Sequence, residues 1–184
     1  MTDLPTPAEA LQRLRDGNDA WAIDNETSPR RDRSRMAAVA PAQAPFATIF
    51  TCSDSRVPAE LIFDQGVGDL FVVRTAGHVI DDAVMGTLHY GVRVLKTPVV
   101  VVLGHTGCGA VGAAWSAADV PQAVKAVVAR IGESSCGASC VDDAVAAHVR
   151  ETVRDLAESA ADAAAVTFVG GVYELETGRV RWLE

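Results

Sequence analysis

Two short polar motifs, each directly after a run of apolar residues, constrain this chain more than any other feature. The first motif is the turn from Cys52 to Pro58, which follows the run Phe46 to Thr51 and begins Cys-Ser-Asp-Ser-Arg. The second is Gly-His-Thr-Gly-Cys-Gly at 104–109, which follows five apolar residues at 99–103. Apolar runs of this length predict buried strands. The fold must therefore present both turns at the ends of strands.

The side chains in these two turns are those of a zinc site. Cys52, His105 and Cys108 offer two thiolates and one imidazole, a set that catalytic zinc sites use while leaving a fourth position open. Asp54 and Arg56 lie in the first turn, two and four residues after the first cysteine. Asp54 could complete the coordination, or Arg56 could hold it off the metal as a hydrogen-bond acceptor. We predict a catalytic site with one Zn²⁺ per subunit.

Segments with strand character alternate with segments of helical periodicity. This order predicts an α/β protein with βαβ units and a mainly parallel central sheet flanked by helices. The last strand, at 179–183, follows the strand at 166–175 after too few residues for a crossover, so we expect it to add antiparallel. Ligands of such sheets bind at the carboxyl ends of strands, which is where Cys52 and His105 fall.

The first part of the chain is predicted to form a helical arm. Thr6-Pro7-Ala8-Glu9 combines an N-cap threonine, a proline at the first helical position and a glutamate that completes a capping box. We predict that residues 1–40 form this N-terminal arm. No internal repeat and no composition boundary divides the remainder, so residues 1–184 are predicted to be a single domain.

Charge and cysteine content limit the partners and the compartment. The formal net charge of −8 argues against nucleic acid or an anionic membrane surface as a partner. The first residues lack the features of a signal peptide, and the longest apolar run is strand-sized, so we expect a cytoplasmic protein with no membrane association. Its four cysteines are then expected to be metal ligands or free thiols.

The motifs resemble those of the β-class carbonic anhydrases. The resemblance extends over most of the chain and rests on three blocks: Cys52 to Arg56, Gly68 to Gly77, and Gly104 to Gly109. It implies a zinc ion held by Cys52, His105 and Cys108, with Asp54 as an exchangeable fourth ligand and Arg56 as its partner. The implied reaction is the reversible hydration of carbon dioxide to bicarbonate and a proton, by attack of zinc-bound hydroxide.

The same resemblance implies a substrate pocket shared between subunits. Gln43, nine positions before the first cysteine, together with Phe71 and Tyr90, matches residues that line the cleft in plant-like members of the family. That cleft lies at a dimer interface, so the three side chains are expected to act on the zinc of the partner. The implied assembly is a homodimer or a dimer of dimers, with the N-terminal helix packed on the neighbouring subunit.

Two other functions remain open from the sequence. The same ligands could form a closed site in a catalytically silent zinc protein, although such a site needs neither Asp54 nor Arg56. Alternatively, the site could hydrolyse another small linear molecule, such as carbon disulfide.

The remaining histidines and cysteines carry weaker expectations. His78 is predicted to be a loop residue hydrogen-bonded to backbone, with proton transfer as the alternative. His89 is expected to be structural, and His148 is expected to lie solvated on a charged helix face. Cys136 and Cys140 could form a second metal site or a redox pair, but no histidine close to them in sequence supports this, and we expect neither role.

Overall fold

A five-stranded sheet forms the centre of the molecule. The computed structural model describes residues 4–132, 134–135, 137–163 and 166–183. The strand order is β2-β1-β3-β4-β5, and every neighbouring pair is parallel except β4 and β5, which are antiparallel. The predicted fold class is confirmed. The strands are β1 Ala47–Cys52, β2 Leu70–Thr75, β3 Val99–His105, β4 Thr167–Tyr173 and β5 Val180–Leu183.

Helices cover both faces of this sheet. They are α1 Pro7–Trp21, α2 Arg33–Val39, α3 Ala59–Ile62, α4 Asp82–His89, α5 Gly109–Trp115, α6 Lys125–Gly132 and α7 Val141–Ser159. Short 3₁₀ turns lie at Ala76–His78 and Gln122–Val124, and one π-helical turn at Tyr90–Val94 continues α4. Within the described part of the chain, no helix is long and apolar enough to cross a bilayer.

The strand β3 shows why the sheet must be covered on both sides. All seven of its residues are buried, and its side chains alternate between two apolar clusters. Val100 and Val102 pack in the cluster that includes Val145 and Val149 of α7, while Val101 packs in the cluster on the opposite face. Burial on both faces is the arrangement that an unbroken apolar run predicts.

The helix α1 packs on its own chain. A Cβ at Gly17 would lie 1.9 Å from the Phe63 carbonyl oxygen, so the two backbones approach as closely as only glycine permits. The buried Asn18 side chain donates to the carbonyl oxygens of Ile62 (3.2 Å) and Gly178 (2.9 Å) and accepts from the Val180 N–H (2.7 Å). The resemblance implied a helix packed on a neighbouring subunit, whereas its buried face here contacts the chain's own core.

Asp69 anchors the segment that follows α1. Its carboxylate is 5% exposed and forms ion pairs with Arg13 (3.3 Å), Arg30 (2.7 Å) and Arg35 (3.1 Å). Arg30 and Arg35 flank the start of α2, which has no buried residue of its own. Side-chain contacts with a buried carboxylate, rather than an apolar face, therefore hold this part of the predicted arm.

We predict that Asn18→Ala lowers the free energy of unfolding by about 2 to 3 kcal/mol, because one buried N–H and two carbonyl groups lose their partner. Denaturant-induced unfolding at fixed protein concentration measures this change. The matched control is Asp19→Ala at the next, 74% exposed position, which should leave the midpoint nearly unchanged. Equal effects of the two substitutions would contradict the assigned role of Asn18.

Candidate metal centre

Neighbouring strands bring the predicted zinc ligands together. Thr51 of β1 is in register with Leu103 of β3, and its hydroxyl donates to the Leu103 carbonyl (2.8 Å). Cys52 ends β1, His105 ends β3, and Cys108 lies in the turn before α5. The sulfur and nitrogen atoms that these three residues offer lie within 4.8 Å of one another, and all three residues are buried. The arrangement matches the predicted ligand set.

The hydrogen bonds around His105 leave one nitrogen facing the cysteines. Its Nδ1 lies 2.9 Å from the Thr106 carbonyl oxygen, which can only accept, so Nδ1 carries the proton. In the neutral ring, Nε2 then carries no proton and offers its lone pair. This buried Nε2 has no hydrogen-bond partner among the described residues. A carbonyl that fixes the tautomer of a ligating histidine is a common feature of metal sites.

The two cysteines cannot both be ionised without a cation. A hydrogen bond from Cys108 lowers the pKa of Cys52 to about 4, against the opposing effect of burial. The same bond, together with burial, raises the pKa of Cys108 far above its ordinary value. Burial lowers the pKa of His105, but the nearby Cys52 and Asp54 and the Thr106 carbonyl together outweigh it, and the net shift is upward. Two thiolates and an imidazole in one buried cluster fit Zn²⁺, which would supply the missing positive charge.

Asp54 and Arg56 form a bidentate pair beside this cluster. Asp54 Oδ1 accepts from the backbone N–H and Nε of Arg56, both at 2.9 Å, and Oδ2 accepts from Nη2 at 2.7 Å. These hydrogen bonds hold the pKa of Asp54 well below its usual range. Asp54 Oδ2 also lies 3.8 Å from Nε2 of His105. An ionised carboxylate with both oxygens engaged by Arg56 therefore faces the metal-binding atoms.

Two groups that the sequence did not assign to the site hold its first turn. Arg74, at the end of β2, donates from Nε to the Cys52 carbonyl (3.0 Å) and from Nη2 to the Asp54 carbonyl (2.6 Å). The backbone N–H of Gly77 donates to the Cys52 sulfur (3.3 Å). Arg74 also follows a predicted strand, which was the signal available in the sequence.

The three predicted substrate residues lie away from the cluster of their own chain. Phe71 pairs with Thr48, four positions along β2 from Thr75, which pairs with Cys52; this separation is about 13 Å along the strand. Tyr90 is 45% exposed, and its ring centroid lies 6.0 Å from that of Phe71. Gln43 is exposed and precedes β1, again at the amino end of the sheet. Within a single chain, these residues therefore lie far from the predicted zinc ligands.

The expectation for His148 is wrong. The residue is 6% exposed, and its ring contacts the Gly77 carbonyl and the Ser134 hydroxyl. It falls between Val145 and Val149 on the buried face of α7, so helical spacing from those valines was the signal to follow.

The other histidine and cysteine expectations have different outcomes. His78 is 1% exposed, and neither ring nitrogen has a hydrogen-bond partner among the described residues, so the predicted bond to backbone is absent there. His89 contacts the Ser159 hydroxyl at 3.1 Å, in keeping with a structural residue. Cys140 is exposed, and Cys136 lies outside the described residues.

Comparison with known proteins identifies the family. A family model described as carbonic anhydrase matches residues 47–180. The carbonic anhydrase of Mycolicibacterium smegmatis is 46% identical, with 95% of this chain and 92% of that protein covered. This chain belongs to the β-class carbonic anhydrase family. The predicted resemblance is confirmed, and so is the prediction of a carbonic anhydrase enzyme.

A further relative and a solved structure are also similar to this chain. Carbonic anhydrase 2 of Mycobacterium tuberculosis is 44% identical, with 94% of this chain and 91% of the relative covered. A tetrameric β-carbonic anhydrase from Sordaria macrospora has the same fold, with a TM-score of 0.74 at 21% identity over 95% of this chain and 97% of that one.

We predict that zinc affinity rises by about tenfold per pH unit between about pH 7 and pH 9, because zinc binding must displace the proton held by Cys108. The raised pKa of His105 adds a second displaced proton, and so a steeper slope, at lower pH. Competition with a chelator at a series of pH values measures the slope.

The matched control for this experiment is Cys140→Ser, an exposed cysteine outside the cluster, which should leave the slope unchanged. Cys108→Ser should abolish tight binding. A wild-type affinity that does not change with pH over the same range would contradict the shared-proton description of the two cysteines.

Proposed function

We propose that this protein catalyses the zinc-dependent reversible hydration of carbon dioxide to bicarbonate and a proton. The supporting observation is the buried Cys52, His105 and Cys108 donor set with an ionised Asp54 beside it. Zinc bound there would lower the pKa of a coordinated water to near 7 and so supply hydroxide at neutral pH.

The residues around the ligands have separate roles in this proposal. Arg56 engages both oxygens of Asp54, which keeps the carboxylate ionised and fixes its direction. Asp54 is then an acceptor that can orient the proton of the attacking group toward itself and its lone pair toward carbon dioxide. A catalytically silent zinc site would need neither residue.

Asp54 also has a second possible role, as an exchangeable fourth zinc ligand. Arg56 engages both oxygens of Asp54, so ligation of zinc by this carboxylate would compete with the bidentate pair. The structure has the pair formed. In the proposal, Arg56 holds the carboxylate as a hydrogen-bond acceptor, which would leave the metal available to the substrate water.

We expect Asp54→Asn to retain about one zinc per subunit and to lose about 99% of its hydration activity, because the amide offers only one acceptor oxygen and no charge. Stopped-flow hydration assays combined with metal analysis test this. The matched control is Asp162→Asn, which removes a similar bidentate pair with Arg93 on the surface and should leave activity unchanged. Wild-type activity in Asp54→Asn would overturn the role of Asp54.

We further propose that Gln43, Phe71 and Tyr90 bind carbon dioxide or bicarbonate at the zinc of a partner subunit. Their separation from the ligands of their own chain supports this, since only a second copy could bring them close. The Sordaria macrospora protein, described as tetrameric, offers a precedent within the same fold. The proposed assembly is a homodimer or a dimer of dimers, each subunit a single domain over residues 1–184 with one Zn²⁺.

Mixing two inactive variants tests this shared site. One variant is Gln43→Ala with intact ligands, and the other is Cys108→Ser with an intact Gln43. Random pairing should restore about one quarter of wild-type activity, because half of the dimers are mixed and each mixed dimer holds one complete site. If verified mixed dimers show no recovery, Gln43 acts on the zinc of its own chain.

The remaining proposals concern location and other partners. We propose a cytoplasmic protein, since a reducing compartment keeps the cluster thiols available for metal. The charge of −8 supports the absence of nucleic-acid and membrane partners.

A further inference from the structure

A chain of hydrogen bonds connects a buried histidine of α7 to the metal-binding sulfur of Cys52. Nε2 of His148 lies 3.0 Å from the carbonyl oxygen of Gly77, and the N–H of Gly77 lies 3.3 Å from the Cys52 sulfur. His148 is 71 positions from Gly77 in sequence, so the connection exists only in the folded chain. No step of the proposed reaction uses this histidine.

The backbone at Gly77 is closely packed against neighbouring side chains. Its φ is +61°, a left-handed conformation that favours glycine. A Cβ there would lie 2.6 Å from Cδ1 of Ile131 and 3.0 Å from Cβ of Ala110. The turn therefore sits in a closely packed slot, and small shifts of its peptide groups change the N–H to sulfur distance directly.

The contacts of His148 fix both its tautomer and its orientation. The Gly77 carbonyl oxygen can only accept a hydrogen bond, so Nε2 of His148 carries the proton and donates to this oxygen. Nδ1 lies 2.8 Å from the Ser134 hydroxyl oxygen, whose single proton can be donated either to Nδ1 or to the Ile131 carbonyl oxygen, 2.7 Å away. Burial lowers the pKa of His148, and its ring stacks on the buried ring of His78 at a centroid distance of 4.3 Å. These contacts hold the ring in place whichever acceptor the hydroxyl serves.

We propose that His148 is a positioning residue for the Cys52 thiolate. By holding the Gly77 carbonyl, it fixes the turn whose N–H donates to the sulfur. An N–H bond to a thiolate stabilises its charge and limits the directions in which its remaining electron pairs point. His148 thus influences how the Cys52 sulfur binds a metal, although it contacts neither the sulfur nor the metal. The inference rests on the proposed zinc function only in placing a metal at the cluster.

The test compares two substitutions of His148 with different hydrogen-bonding ability. His148→Gln can place its amide N–H where Nε2 lies, whereas His148→Leu leaves the Gly77 carbonyl without a donor. We expect the leucine variant to bind zinc about tenfold more weakly, by chelator competition, and the glutamine variant to stay within about twofold of wild type. In the cobalt-substituted protein, the sulfur-to-metal charge-transfer band should move to lower energy in the leucine variant only.

A control and a second variant keep the test decisive. Thr152→Val changes a buried residue one turn along α7 whose hydroxyl, among the described residues, bonds to the His148 carbonyl, and it should alter neither measurement. Ser134→Ala removes the contact at Nδ1 that helps to orient the ring and should weaken zinc binding in the same direction. If the leucine variant fails to fold, Ser134→Ala decides the question.

Three outcomes would overturn the proposal. The first is wild-type zinc affinity and an unshifted cobalt band in His148→Leu, or wild-type zinc affinity in Ser134→Ala if the leucine variant fails to fold. The second is an equal loss in the glutamine and leucine variants, and the third is an equal loss in Thr152→Val. Neither readout uses carbon dioxide. An inactive wild-type protein with the expected zinc affinities would therefore reject the proposed reaction and leave the role of His148 standing.

Discussion

The parallel pairing of β1 with β3 is the constraint on which the site depends. The register that places Thr51 beside Leu103 also brings the ends of the two strands together, with Cys52 on one and His105 on the other. A slip of one position would turn each side chain to the opposite face of the sheet. The hydrogen bond from the Thr51 hydroxyl to the Leu103 carbonyl and the close packing of β3 on both faces oppose such a slip. The core therefore determines the metal geometry.

Charge balance explains the residues around the ligands. The buried cluster holds one thiolate readily and a second only with a cation, which gives the site a strong preference for a metal such as zinc. Asp54 adds a further negative charge close to this cluster, and Arg56 neutralises it. The site thus has two parts: the cysteines and the histidine, which could hold a cation, and a charge-balanced Asp–Arg pair beside them.

Much of this arrangement follows from sequence because the ligands come in two local motifs. Each motif follows a strand, and parallel strands end at the same edge of a sheet, so Cys52, His105 and Cys108 could be grouped before any coordinates. The hydrogen bonds that Arg74 and Gly77 donate to the first turn could not be predicted, since they depend on how a third segment packs against that turn. The burial of His148 was not predicted, because charged residues close to it in the sequence obscured the apolar periodicity of its helix.

Other features could not be predicted from the sequence of one chain. Phe71 and Tyr90 are in contact, yet they lie at the amino end of the sheet, so the role proposed for them at a zinc site would require a second subunit. The end of α7 is not marked in the sequence either. The residues after Ser159 are mostly alanines that suit a helix, yet α7 ends at Ser159 and β4 begins at Thr167.

The zinc dependence of carbon dioxide hydration tests the central claim most directly. Wild-type protein is stripped with a chelator and then titrated with Zn²⁺, while stopped-flow hydration rate and bound metal are measured on the same samples. The account predicts that activity is lost with the metal and returns in proportion to zinc, reaching its maximum at about one ion per subunit. Full activity in verified metal-free protein, or no activity at full zinc occupancy, would contradict it.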